Sequence, residues 1–298
     1  MIFDTHAHVL SADVERYPHS TLRGGAKPPV PAAVFSVERL VAAMDREGVD
    51  RACLVQRATL YGYDNSYMLD AAGEYPERFR AVAVLDAQDS GAPAELRRLV
   101  HDKALAGLRI VAPQLSEQDV EWVASEQARE LWAAARDLAL PVAVIIYRLN
   151  NPAGRVALLD LASHFTGMPI ILDHCGLPHS STPEKAWAHA QGLDYSIAAP
   201  PGFGIEEALR DFAELPHVHF KVTDINFDRL EEAGFDGGEF LARLAALVGP
   251  ERLLWGSDVG QSPAPYGEKV ARAMAAAASL AEPARAAFLG ENARRIYG

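Results

Sequence analysis

Short apolar runs rich in Val, Ile and Leu recur along the chain, each followed by a loop and then by a stretch of helical spacing or Ala-rich composition. The runs predict strands at Ile2–His6, Arg51–Gln56, Arg80–Leu85, Gly107–Val111, Val142–Tyr147, Ile170–His174, Val218–Val222 and Leu253–Ser257. Helices are predicted at Val37–Glu47, Ser66–Glu74, Ala94–Lys103, Asp119–Asp137, Gly154–His164, Ile205–Phe212, Gly238–Leu247 and Glu268–Leu280, with Ser36 and Gly48 as start and stop signals of the first. Strands that are apolar along nearly their whole length are covered on both faces, as in a parallel sheet wrapped by helices. Eight such strand and helix repeats predict an α/β chain folded as a single (β/α)8 TIM barrel over residues 1–298. The rival, an open doubly wound sheet, has fewer strands and a Gly-rich phosphate turn after the first. That turn is absent: Gly202-Phe203-Gly204 lacks a third glycine, and there is no lysine-bearing phosphate loop. The long irregular stretch from Val9 to Phe35 follows the first strand and is expected to form a wall or lid.

In such a barrel the C-terminal ends of the strands share one rim, so residues far apart in sequence converge there. Strict alternation would send Asp4, His6 and His8 to one side of the first strand. The other rim positions carry Gln56 and Arg57, Arg109, Tyr147 and Arg148, His174, Thr223 and Asp224, and Asp258. Two imidazoles aimed at one point can hold a divalent metal or polarise a carbonyl.

Charge narrows the partners. With 28 basic against 40 acidic residues and a net charge of −12, the chain lacks the excess of Lys and Arg that nucleic-acid binding requires. Cys53 and Cys175 are the only cysteines, too few for a disulfide framework or a Cys-rich zinc module. No signal peptide or membrane-spanning run is visible, so a cytoplasmic enzyme with a small-molecule substrate and no membrane partner is expected; self-association as a homo-oligomer stays open.

Three strand-end signatures carry a family resemblance: Asp4-Thr5-His6-Ala7-His8, Ile171-Leu172-Asp173-His174 and Trp255-Gly256-Ser257-Asp258. Together they resemble the amidohydrolase superfamily, specifically the amidohydrolase-2 family of TIM-barrel hydrolases. Tyr61-Gly62-Tyr63-Asp64-Asn65-Ser66-Tyr67, with Tyr75-Pro76-Glu77-Arg78-Phe79 after it, is similar to the branch of sugar-acid and pyrone-dicarboxylate lactonases. The resemblance implies a reaction centre of His6, His8, His174 and Asp258. Two departures stand out. The fifth strand ends Ile145-Ile146-Tyr147-Arg148 without the metal-binding histidine of many amidohydrolases, and Cys175-Gly176-Leu177-Pro178 lacks the arginine that follows the sixth-strand histidine in the pyrone-dicarboxylate enzyme.

The expected metal set is His6, His8 and Asp258 holding one divalent ion, zinc or manganese, with metal-independent catalysis as the alternative. Asp258 is assigned as general base and His174 as the group that polarises the carbonyl or orients water. Arg109 is the candidate to grip a substrate carboxylate or carbonyl, or else an internal ion pair with Asp86 or Lys221 in its network. Tyr147, Arg148, Tyr61 and Asn65 are expected to line the pocket, and the remaining histidines, His219 among them, are read as surface or loop residues. A lactone tolerates a thin metal site better than an amide, because its alkoxide leaves with less help than an amine. The leading expectation is therefore hydrolysis of a small carboxylated or sugar-derived lactone. The alternatives are a metal-dependent nonoxidative decarboxylase and a non-catalytic ligand-binding barrel.

Overall fold

The computed structural model describes residues 1–22, 34–103, 105–112, 121–146, 152–176 and 199–298. Its strands are β1 (Phe3–Ala7), β2 (Arg51–Val55), β3 (Phe79–Val84), β4 (Gly107–Ala112), β5 (Val142–Ile146), β6 (Ile170–Leu172), β7 (Val218–Thr223) and β8 (Leu253–Gly256). They form one parallel sheet in sequential order. Just beyond the strand ends, the Asp258 N–H donates to the His6 carbonyl at 2.7 Å and the His8 N–H to the Val259 carbonyl at 2.9 Å, which brings β8 back to β1. With helices between the strands, this is the (β/α)8 barrel that the pattern predicts.

Local chemistry sets the elements. The helix Val37–Glu47 buries Val37, Leu40, Ala43 and Met44 on one face and ends at Gly48, whose φ of 69° suits the left-handed turn that stops a helix. The predicted helix Asp119–Asp137 is shorter, because Ser125 interrupts it: its hydroxyl accepts the Ala128 N–H and caps a helix over Glu126–Asp137, preceded by a 3-10 turn at Glu121–Ala124. A helix at Asp224–Glu232 starts directly after β7, where the sequence reading has only rim residues. At the closed end of the barrel, Tyr297 and Ala293 of the C-terminal helix Asn292–Tyr297 pack with Phe3, Cys53, Val55, Val82, Ala143, Ile171 and Leu254. That plug leaves the opposite rim as the accessible mouth.

The expected alternation along β1 does not hold. Asp4 pairs with Ala52 but Ala7 with Leu54, so one extra residue is accommodated between them. This bulge shifts the facing of the strand. Phe3 joins the interior plug and Ala7 the outer core, while Asp4 turns outward to accept a hydrogen bond from Tyr266 at 3.2 Å. His6 still faces inward. The other Asp4 oxygen accepts the backbone N–H groups of His6 at 3.0 Å and Ser257 at 2.8 Å, so one buried carboxylate fastens the bulge to β8. Of the long loop, Leu10 donates to the Phe35 carbonyl and Ser20 to the Leu60 carbonyl; its residues 23–33 lie outside those described. Among the described residues no helix is long and apolar enough to cross a membrane.

Candidate active site

Four rim residues meet at the barrel mouth. The His6 Nε2 and His8 Nε2 atoms each lie 3.5 Å from Asp258 Oδ1, and the His6 ring is centred 4.9 Å from that of His8 and 5.1 Å from that of His174. All four side chains are buried. Gly256 makes the approach of β8 to β1 possible, since a Cβ there would fall 2.5 Å from the His6 Cβ. Asp258 itself adopts the left-handed backbone region with φ 53°, which aims its carboxylate back over the mouth, and Ser262 donates to its carbonyl at 3.1 Å.

Hydrogen bonds orient the rings. His8 Nδ1 sits 2.7 Å from the Val55 carbonyl, which can only accept, so Nδ1 carries a proton and the ring is fixed with Nε2 toward Asp258. His174 Nδ1 lies 2.7 Å from the Thr223 hydroxyl, and the His174 carbonyl accepts from Asn226 at 2.9 Å. These contacts hold a turn that β6 does not reach: the strand ends at Leu172, and His174 and Cys175 are left-handed at φ 54° and 56°. Below the histidines, Asp173 is clasped by Lys221 at 2.8 Å and by Arg109 Nε at 2.7 Å. Lys221 Nζ is also 3.3 Å from His6 Nδ1.

The electrostatics follow from this packing. Burial pushes His6 down to about 3, so the ring is neutral and able to act as a ligand at ordinary pH. Burial alone would raise the Asp258 carboxyl, but the hydrogen bond and charge of His8, with His6 and His174, hold it well below the usual carboxylate range. Asp173 likewise is raised by burial and lowered further by Lys221 and Arg109, and it stays ionised. His6 Nε2 and Asp258 Oδ2 are buried without a hydrogen-bond partner. Polar atoms left this way are costly unless something fills the gap. The ligand atoms of His6, His8 and Asp258 all lie within 4.8 Å of one another, so two imidazoles and a carboxylate fit one divalent cation. His174 falls outside that trio.

The other sequence candidates are distributed as follows. Arg109 borders the pocket, yet its Nε is spent on Asp173, with Lys221 in the same network. Tyr61 packs with Leu10, Tyr17 and Leu60, and its hydroxyl accepts the Ser11 N–H at 2.9 Å, so it braces the long loop. Asn65 is used up at both ends of its amide, accepting from Val84 N–H at 2.8 Å and donating to the Val84 and Tyr63 carbonyls. Neither borders the pocket among the described residues. Tyr147 and Arg148 lie outside the described residues. Asp224 leaves the rim to pair with Lys269 at 2.6 Å and Arg272 at 3.2 Å. Arg57, Thr59 and Gln261, to which the sequence assigned no role, line the pocket together with Asp258; the signal was Arg57 itself, two residues after the second strand. His219, read as a surface residue, lies on β7 and is partly buried.

Comparison with known proteins agrees with this architecture. The chain is 25% identical over 257 residues to a 4-sulfomuconolactone hydrolase of Hydrogenophaga intermedia, covering 86% of this chain and 73% of that one. It is 26% identical over 275 residues to an L-fucono-1,5-lactonase of Burkholderia ambifaria, covering 89% and 82%. Among solved structures, a probable 2-pyrone-4,6-dicarboxylic acid hydrolase from Acinetobacter baumannii with citric acid bound superposes with a TM-score of 0.74 at 18% identity, covering 100% of this chain and 99% of that one. An amidohydrolase from Burkholderia multivorans with bound zinc gives 0.69 at 20% identity over 100% and 99%. The amidohydrolase family model matches residues 3–298, and the chain is an enzyme belonging to the amidohydrolase-2 family.

Proposed function

We propose that this enzyme opens a small carboxylated or sugar-derived lactone by attack of water at the barrel mouth. The observation that carries the reading is the pair of unpartnered, buried atoms, His6 Nε2 and Asp258 Oδ2, within the compact trio of His6, His8 and Asp258. The lactone hydrolases among its relatives support the reaction class. His6, His8 and Asp258 would hold one divalent ion, zinc or manganese, which when bound supplies Lewis acidity and lowers the pKa of a water toward about 7.

The remaining steps belong to the side chains. Asp258, kept ionised by its imidazole neighbours, accepts the proton of the attacking water. Water oxygen bonds to the lactone carbonyl carbon, the ring C–O bond breaks, and the proton passes to the departing alkoxide. His174, fixed by Thr223, directs its other ring nitrogen to the carbonyl or the water. The His6 tautomer links the site to the charges below it. With Nδ1–H turned to Asp173, 3.6 Å away, Nε2 offers a lone pair; with Nδ1 accepting from Lys221, Nε2–H faces Asp258 instead. The first form suits a metal ligand and the second a metal-free oxyanion donor.

Lactone opening followed by acid release in a pH-stat, with carbon dioxide monitored in parallel, tests the proposal. Proton uptake accompanied by carbon dioxide is the signature of a decarboxylase; acid release without gas is the expected one. Asp258→Asn should abolish turnover while circular dichroism stays unchanged, and full activity in that variant rejects the assignment.

A further inference from the structure

The described pocket is bordered by Arg57, Arg109, Asp258, His8, His174 and Gln261 among others, and its charges are unequal. Asp173 beneath it is clasped by two cations, Arg109 and Lys221. Asp258 is met by imidazoles. Arg57 makes no direct contact with either carboxylate among the described residues, although the Asp258 charge acts on it, and the three cations outnumber the two carboxylates. The Arg57 Nε donates to Gln261 Oε1 at 2.8 Å, a neutral acceptor that Thr59 shares at 3.2 Å, and its two Nη groups find no acceptor among the described residues. A guanidinium fixed through Nε presents its Nη edge as a fork, the geometry that matches a carboxylate. Any divalent ion at His6, His8 and Asp258 would only enlarge the positive excess.

From this geometry we infer that Arg57 is a specificity-determining residue that anchors an anionic group of the substrate, so that the preferred lactone carries a carboxylate or an equivalent oxyanion. The inference rests on the lactone reading for the reacting half of the molecule, not for the anion contact itself. The pocket wall agrees with it. Val111, Ile145 and Ile225 are apolar, and Gln261 is engaged with Arg57, so among the described lining residues few uncharged groups remain to satisfy the several hydroxyls of a neutral sugar lactone. Arg109 has its Nε bound to Asp173, whereas Arg57 feels the Asp258 charge but makes no ion-pair contact with a carboxylate among the described residues.

The test compares a butenolide carrying a carboxymethyl group with its primary amide, using the full-length enzyme and the variants Arg57→Gln and Arg57→Lys, with thermal melts to establish folding. Wild type should favour the acid. Arg57→Gln should lower kcat/KM for the acid by on the order of 10- to 100-fold, the range of one charge-assisted contact, chiefly through KM, and leave the amide within about twofold. Arg57→Lys should fall between, keeping the charge but losing the fork. Equal treatment of acid and amide by wild type, or an equal loss on both in Arg57→Gln, overturns the inference. If wild type opens neither lactone, the lactone reading fails, and calorimetry with glutarate then decides the anion contact alone. Weaker glutarate binding by Arg57→Gln supports it; binding equal to that of wild type refutes it.

Discussion

Removing the Asp4 carboxylate tests the idea that the β1 bulge is pinned to β8. In Asp4→Ala the buried N–H groups of His6 and Ser257 lose their acceptor and Tyr266 loses its own. Each stranded buried donor costs about 1–3 kcal/mol, so the three together put the loss at about 4 kcal/mol, allowing for partial relaxation. At about 2–4 °C per kcal/mol, melting should fall by on the order of 10 °C. Asp4→Asn keeps an oxygen for the two backbone donors and offers its amide to the Tyr266 oxygen, so it should cost about 1 kcal/mol or less. Tyr266→Phe removes a single bond to a charged group and should cost about 1.5 kcal/mol. Differential scanning calorimetry on the three variants, with lactone turnover on the same samples, reads both stability and the placement of His6. An Asp4→Ala protein that melts within about 2 °C of wild type and keeps its kcat would refute the argument, because about 2 °C corresponds to no more than about one lost bond.

The buried charges make further predictions. Arg109→Met leaves Asp173 with Lys221 as its remaining cation, and breaking a buried pair from one side should cost about 3 kcal/mol, read as an earlier urea midpoint; an unchanged midpoint contradicts the pairing seen here. His219 is lowered to about 4 by burial and by the Arg252 and Arg295 charges. Its folded value lies below the unfolded one of about 6.5, so the unfolded chain binds the extra proton between them, and stability is complete above about 6.5 and drains away as pH falls toward about 4. His219→Gln should therefore flatten the melting-temperature profile over that window, and a slope equal to that of wild type would remove His219 as its source.

The sequence carried the barrel because its information lies in strand composition. Runs such as residues 52–55 and Leu253–Gly256 are apolar throughout, and burial on both faces leaves that trace whatever the loops do. His6, His8, His174 and Asp258 were legible for the same reason, as polar groups at the ends of buried strands. What stayed hidden depended on backbone irregularity and on pairing across the fold. The bulge between Asp4 and Ala7 reverses the expected facing of Asp4, and no residue type announces it. His174 sits in a left-handed turn although the run Ile170 to His174 reads as a continuous strand. For Arg109 the internal ion pair with Lys221 in its network was one of two expectations, but its carboxylate, Asp173, is 64 residues away in sequence and could not be named, whereas Tyr61 and Asn65 looked like pocket residues because their backbone partners cannot be seen in a string.

Distant strand tips bring two imidazoles and one carboxylate to one point, where we propose they hold a single cation, and elemental analysis of the purified enzyme decides whether they do. One equivalent of zinc or manganese per chain is expected, lost in His8→Ala and in Asp258→Ala, with chelation of wild type removing lactone turnover and added metal restoring it. A metal-free protein whose full turnover is indifferent to chelator would contradict it.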